Sequence, residues 1–293
     1  MQRGLILINA YPNGKKFLRQ SGRIAEELEK KGVKTDVMRN GEIYALLSGG
    51  EAAVGGLKEK YAFIVYLDKD KYLGKILESA GFTLFNSAEA VEVCDDKITT
   101  YIALSKSGLP LIDTIPAPLC YTPKVKVNDA FLKNVEKKLG FPMVVKKSYG
   151  SFGEGVQLVH GSEELQEVAQ KFLYTPHCYQ RYVAESSGKD IRVVVIGGKA
   201  VAWMRRVAQS GEFRSNVELG GKGEKTELTK DYIQTAERAA EILKLDYCGV
   251  DLLETASGPV LCEVNSNAFF EGLEKTTGIN VAEAYAVHIL SKI

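Results

Sequence analysis

The sequence of 293 residues predicts an α/β (α+β) protein: a small parallel unit followed by antiparallel sheet structure. Three observations carry this. Over residues 1–90, short apolar runs alternate with helical patterns through short links, the rhythm of a parallel α/β unit. Residues 142–159 read strand, glycine-rich loop, strand. Residues 190–206 and 249–265 each read as a hairpin, over Gly197-Gly198 and near Ser257.

Taken in order, residues 4–9 (GLILIN) are a buried strand, and the following loop, Asn9 to Lys15, is a substrate-facing position at a strand end. An amphipathic helix runs from Lys16 to Lys31 and closes at Gly32. Residues 33–39 are a second strand, 42–48 a helix, and 61–67 a third strand. A helix to Ala80 is capped by Gly81, and 82–86 is a fourth strand. Residues 87–108 read as one helix containing Asp95, Asp96 and Lys97. Residues 109–118 are extended, 128–139 a helix ending at Gly140, 162–173 a helix and 177–183 a strand. Residues 210–223 read as a loop and 229–244 as a helix. A last helix starts at Val281, with Asn280 as N-cap and Glu283 completing a capping box.

Composition narrows the function classes. Hydrophobic residues make up 45% and charged residues 26%, ordinary for a soluble globular protein. A net charge of +1 gives no reason to expect a nucleic-acid or membrane partner. The five cysteines (94, 120, 178, 248, 262) are odd in number, widely spaced and without CxxC. That argues against a disulfide framework or zinc site and suits a reducing cytoplasm. Cys248 and Cys262 read as small buried hydrophobes. The apolar run near the N-terminus is too short for a signal or a membrane span. His160, His177 and His288 are scattered and read as structural.

The chemistry gathers in the last hairpin, GVDLLETASGPVLCEVN. A turn centred near Ser257 sets Asp251 opposite Glu263, and the period of two puts Asn265 on the face of Glu263. Two carboxylates and an amide suit a hard cation such as Mg²⁺, which leaves positions for phosphate oxygens. An exposed acidic strand face is the competing reading. Gly150, Gly153 and Gly155 would let backbone N–H groups approach an anion. No helix follows them and no GK[ST] ending is present, so neither a P-loop nor a dinucleotide fingerprint fits. A flap over nucleotide phosphates remains. Lys146 ends the preceding strand, and Lys147 points to the opposite face.

Together, NSAEAVEVCDDK (86–97), PMVVKKSYGSFGEGV (142–156), QRYVAESSGKDIR (180–192), FRSN (213–216), GVDLLE (249–254), CEVN (262–265) and EGLEKTTGINVA (271–282) resemble the ATP-grasp superfamily, specifically RimK-type α-L-glutamate ligases, over roughly residues 85–285. The resemblance implies a pre-ATP-grasp domain over 1–90 and an ATP-grasp domain over 91–293. Within the latter, about 110–185 would form a lid and 186–293 a metal-binding subdomain. It implies an ATP-dependent carboxylate–amine ligase working through an acyl phosphate, with glutamate or a similar amino acid joined to a peptide, protein or coenzyme carboxylate. A ligase for another amino acid or a small-molecule carboxylate, or a non-catalytic nucleotide-binding module, stands as the alternative. Dimers and tetramers in the family admit a homo-oligomer, though no stretch specifies an interface.

By resemblance, Lys97 and Lys146 approach the phosphates, and Gly150, Ser151, Gly153 and Gly155 cover them. Gln180, Arg181, Tyr182 and Val183 form the hinge strand, with the backbone of Arg181 and Val183 reading adenine. Asp190 lies near the ribose, and Arg214, Ser215 and Asn216 contact the nucleotide. Asp251, Glu263 and Asn265 hold two Mg²⁺ ions, with Mn²⁺ an acceptable substitute and Glu263 bridging. Arg192, Arg206 and Arg214 are the candidates for gripping the transferring phosphoryl group, because a guanidinium forks onto planar oxyanions. After EVN the family often has Ser-Pro-Gly, whereas this chain has Ser266-Asn267-Ala268-Phe269-Phe270, which should alter the acceptor pocket.

Overall fold

A computed structural model describes residues 3–11, 14–150, 153–209, 212–215 and 220–293. The N-terminal sheet has the order β2 (Lys34–Arg39), β1 (Arg3–Ile8), β5 (Phe63–Leu67), β6 (Leu84–Phe85), all parallel. The central strands LILI and FIVYL are apolar without alternation because both faces are covered. One face packs against α2 (Lys71–Ser79) and α3 (Ala88–Asp95). The other meets α1 (Lys15–Lys30), α9 (Val281–Leu290) and the C-terminal sheet in one shared core.

Residues 42–48 are not helical. They begin a hairpin of β3 (Tyr44–Ser48) and β4 (Glu51–Gly55), turned by Gly49 and Gly50, both at positive φ. A Gly-Gly pair between apolar segments is a two-residue hairpin signal, and it outweighs the helical spacing. Nor do residues 87–108 form one helix. Asp96 leaves the helical region (φ −97°, ψ 113°), and its carboxylate accepts the N–H groups of Ile98 and Thr99. Asp96 therefore caps a second helix, α4 (Lys97–Leu104), and puts Lys97 at its first position. Asn280 caps α9 as expected, accepting from Glu283 N–H at 3.0 Å. The Glu283 carboxylate turns to Lys31 instead (3.2 Å). A short helix over residues 271–277 and a strand at 222–224 went unread in the sequence.

The remaining architecture is two antiparallel sheets. The first has the order β7 (Thr114–Pro116), β10 (His177–Arg181), β8 (Met143–Lys147), β9 (Val156–Val159), backed by helices α5 (Asp129–Leu139) and α6 (Ser162–Phe172). The second has the order β13 (Lys222–Glu224), β12 (Lys199–Val207), β11 (Lys189–Ile196), β14 (Tyr247–Thr255), β15 (Gly258–Asn265). One face of this second sheet buries Ile191, Val193, Val250 and Leu252 against α7 (Lys230–Ile242). Asn86, just after β6, ties the N-terminal lobe to this sheet. Its Nδ2 donates to Tyr247 O (2.8 Å) and Ser266 O (2.9 Å), and its Oδ1 accepts Tyr247 N–H (2.9 Å).

Candidate active site

A cavity of about 520 Å³ takes wall residues from both antiparallel sheets and from the carboxyl ends of β1 and β5. Strand register assembles its charged floor. Across β11 and β12, Asp190 faces Arg206; across β11 and β14, Arg192 faces Asp251; across β14 and β15, Asp251 faces Glu263. The period of two puts Asp190 and Arg192 on one face, so acid faces base across β12–β11 and β11–β14, and acid faces acid across β14–β15.

The expected pairing of Asp251 with Glu263 is present, but it arises differently. The hairpin closes at Thr255 opposite Gly258, one residue tighter than a turn centred at Ser257. A β-bulge between Leu261 and Glu263 then makes Cys262 the extra residue and restores the acid pair. Cys262 faces the cavity as well, its Sγ 3.6 Å from Lys146 Nζ. Cys262 is half-buried, packed against the core and also lining the cavity, whereas Cys248 is fully buried.

Asp251 is buried and held by two arginines. Arg192 donates Nε to Oδ1 at 2.7 Å and Nη2 to Oδ2 at 2.6 Å, and Arg206 Nη2 lies 2.9 Å from Oδ2. Burial alone would raise this carboxyl, but the guanidiniums of Arg192 and Arg206 outweigh it and hold it below the ordinary carboxylate range. Arg206 is also forked onto Asp190, with Nε 2.7 Å from Oδ1 and Nη2 on Oδ2. Asp190 lines the cavity, and its carboxylate is engaged by the buried Arg206. Neighbouring Arg205 faces away and pairs with Glu254.

Across the cavity, Lys97 Nζ donates to Gly150 O (3.1 Å) and sits 3.4 Å from Glu263 Oε1. Arg214 Nη1 donates to Gly153 O (3.0 Å). Both ends of the glycine loop are therefore held by cations that the sequence assigns to phosphates. Glu212 fixes the Arg214 guanidinium from behind, and the bond to Arg214, against a smaller opposing effect of burial, lowers its carboxyl to about 2. Gly155 adopts φ 72°, and a Cβ there would fall 2.6 Å from the Lys147 side chain. Lys147 points away from the cavity, its Nζ 5.1 Å from the Phe172 ring centroid. Ser151 and Asn216 lie outside the described residues.

On the hinge strand, Gln180 Nε2 donates to Thr114 Oγ1 (2.9 Å), while its buried Oε1 has no hydrogen-bond partner among the described residues. Tyr182, Val183 and Ser215 line the cavity, and Tyr182 meets Phe213 edge-on. The Arg181 side chain is turned outward onto Asp113, and its N–H is already donated to Asp113 O (3.0 Å). That N–H is not available to a base.

The N-terminal lobe adds Asp68 and Phe17, which sequence reasoning did not single out, beside Asn9 of the strand-end loop expected to face substrate. Asn9 Nδ2 donates to Asp68 Oδ1 (2.8 Å), and both line the cavity. Phe269 forms a further part of the wall, edge-on to Phe17 with centroids 4.9 Å apart and with Lys16 Nζ 4.7 Å from its ring. Phe270 goes into the core beside Tyr247. Both lie beyond the end of β15, in the link to the short helix over residues 271–277, where no strand periodicity could have told them apart. His177 bonds Thr175 O and Tyr179 Oη, and His288 bonds Asp246, so neither touches the cavity.

Among the described residues no three His, Cys, Asp or Glu side chains gather around a point. The donor set is instead two carboxylates and an amide, with Asn265 Nδ2 3.5 Å from Asp251 Oδ2. All-oxygen donors of this kind fit Mg²⁺ and do not fit zinc. Residues 94–289 match the model of the RimK-like ATP-grasp domain. The chain belongs to the RimK-like ATP-grasp family. A probable alpha-L-glutamate ligase of Rhodopirellula baltica is 32% identical over 281 residues, covering 92% of this chain and 68% of that one. Human N-acetylaspartylglutamate synthase A is 33% identical over 231 residues, 78% of this chain and 57% of that one. For beta-citrylglutamate synthase B of Danio rerio the identity is 34%, over 78% of this chain and 55% of that one. This ATP-grasp chain thus spans little more than half the length of these last two relatives. The ATP-grasp fold recurs in ligase PsnB bound to minimal precursor, Mg and ADP (TM-score 0.70, 17% identity, 99% of this chain and 97% of that one). It recurs too in D-alanine–D-alanine ligase of Bacillus anthracis bound to ATP (TM-score 0.72, 18% identity, 99% and 97%). Among the described residues no helix is long and apolar enough to cross a membrane.

Proposed function

We propose that this chain is an ATP-dependent carboxylate–amine ligase that joins glutamate or a similar amino acid to a carboxylate on a peptide, protein or coenzyme. The observation that carries the reading is the charged row of Arg206, Asp190, Arg192, Asp251 and Glu263 facing Lys97 and Lys146 across one cavity bordered by a glycine loop. A substrate carboxylate oxygen attacks the γ-phosphorus of ATP, the bond to the β–γ bridging oxygen breaks, and ADP leaves. The amine nitrogen then attacks the acyl carbon, sheds a proton and expels phosphate, leaving an amide.

The first step brings two anions together, so it needs charge neutralisation and positioning more than a general base. Asp251, Glu263 and Asn265 would hold Mg²⁺ (two ions, or Mn²⁺ in its place), which when bound neutralises phosphate oxygens. Lys97 and Lys146 supply further positive charge, and Arg214 carries the far end of the flap. The orphaned Gln180 Oε1 is an acceptor for an amino group on the base. The lid of about 110–185 closes to keep water from the acyl phosphate.

The test is phosphate release from MgATP, with glutamate held fixed while carboxylate acceptors vary, then with the amino acid varied. Release that needs both a carboxylate and an amine and vanishes in Glu263→Ala supports the ligase. No release with any pair, despite a clear MgATP thermal shift, would favour a nucleotide-binding module.

A further inference from the structure

The two arginines on Asp251 are not equivalent. Arg206 is the deeper, its side chain 3% exposed against 14% for Arg192. Arg206 is also anchored from the other side by its fork onto Asp190, through Nε and Nη2. Arg192, by contrast, places both its Nε and its Nη2 on Asp251 and fills the direct approach to both carboxylate oxygens. A cation that ligates Asp251 needs a lone pair on one of those oxygens. It also adds two positive charges to a face already holding two guanidiniums against three carboxylates, Asp190, Asp251 and Glu263.

We propose that Arg192 is the internal cation that a divalent metal displaces from Asp251, while Arg206 is kept in place by Asp190. Arg192 already borders the cavity, so its displacement leaves a fork of N–H donors for an oxyanion in the same cavity. Metal entry and the arming of a phosphate- or carboxylate-binding arginine are then one event. Before metal arrives, Arg192 neutralises a buried carboxylate that would otherwise be uncompensated. This inference rests on reading Asp251, Glu263 and Asn265 as a metal site.

The test needs no turnover. Mn²⁺ affinity is measured by calorimetric titration without nucleotide for the wild-type chain, Arg192→Ala, Arg192→Gln, and Arg205→Ala as a control on the opposite face. Removing an internal competitor should tighten Mn²⁺ binding about tenfold or more in both Arg192 variants, since one unit charge at this range in a partly screened site outweighs a decade of affinity. Arg205→Ala should bind as the wild type does, and adding Asp251→Asn should erase the gain. A merely structural Arg192 gives the opposite sign, with binding weakened as the site loosens.

Unchanged or weaker binding in either folded Arg192 variant, with the wild type binding Mn²⁺, overturns the displacement while leaving the metal site intact. Absence of Mn²⁺ binding in every form overturns the metal site and the displacement together. If Arg192→Ala folds only with Mn²⁺ present, the metal is replacing the lost guanidinium on Asp251, which supports the proposal. If it folds under neither condition, Arg192→Gln decides by the same criterion.

Discussion

Replacing Asn86 by alanine removes one polar tie between the N-terminal lobe and the C-terminal sheet. The side chain is 1% exposed and makes three hydrogen bonds, two to carbonyl oxygens and one from the Tyr247 N–H. Truncation orphans that buried N–H, at about 1–3 kcal/mol, and deletes two further bonds worth roughly 1 kcal/mol each. The sum is about 3–5 kcal/mol. At roughly 2–3 °C per kcal/mol for a chain of this size, the midpoint should fall by about 6–15 °C. Thermal and urea unfolding followed by tryptophan fluorescence read the loss, with Trp203 on β12 as reporter. Asn86→Asp, which keeps the acceptor for Tyr247 N–H but not the donors, should also destabilise. A loss below about 1 kcal/mol in Asn86→Ala would refute the reasoning, because the three groups would then have found other partners.

Arg206→Ala should abolish phosphate release, whereas Arg205→Ala should retain it within about threefold, since the latter loses one half-exposed pair with Glu254; steady-state rates separate them. Glu27 links α1 to the cap of α9, and bonds from Lys30 and Asn280, against burial, lower its carboxyl from 4.5 to about 2. A carboxyl lowered by folding stabilises above its unfolded value, so this contribution should be full above about pH 5 and lost as pH falls from 4.5 towards 2. Urea midpoints over that range should decline less steeply in Glu27→Gln. Limited proteolysis within residues 150–155 should slow on addition of MgATP, and an unchanged cleavage rate would count against a closing flap.

Local patterns were legible where one element carried the chemistry. Asp251, Glu263 and Asn265 share one hairpin, so the sequence brought them together, although a tighter turn and a compensating bulge produce the pairing. The glycine loop was likewise readable from the strands on either side. Failures came where short-range signals competed. Over residues 42–48 helical spacing concealed a Gly-Gly turn, and within 87–108 Asp96 acted as a cap rather than as a helical residue. The bulge at Cys262 left no mark in composition. Asp190 and Arg206 share the hairpin read over residues 190–206, but a register shift between Val194 and Val195 decides that Arg206 and not Arg205 faces Asp190, and Asp251 comes from a separate stretch. Phe17 and Asp68 reach the cavity beside partners far away in the chain, Phe269 and Asn9, beyond any single-sequence pattern.

The bulge at Cys262 has a consequence for how β15 is counted. Outward of it, the sheet reads one frame, with Leu252 opposite Leu261; inward, it reads another, with Asp251 opposite Glu263. Without the bulge, the outer frame carried inward would set Cys262 against Asp251 and turn Glu263 to the apolar side facing α7. The cost of burying that carboxylate there is what holds the strand to its irregular path. Deleting Cys262 would merge the two frames and still leave Glu263 facing Asp251, removing the thiol beside Lys146 while sparing the acid pair.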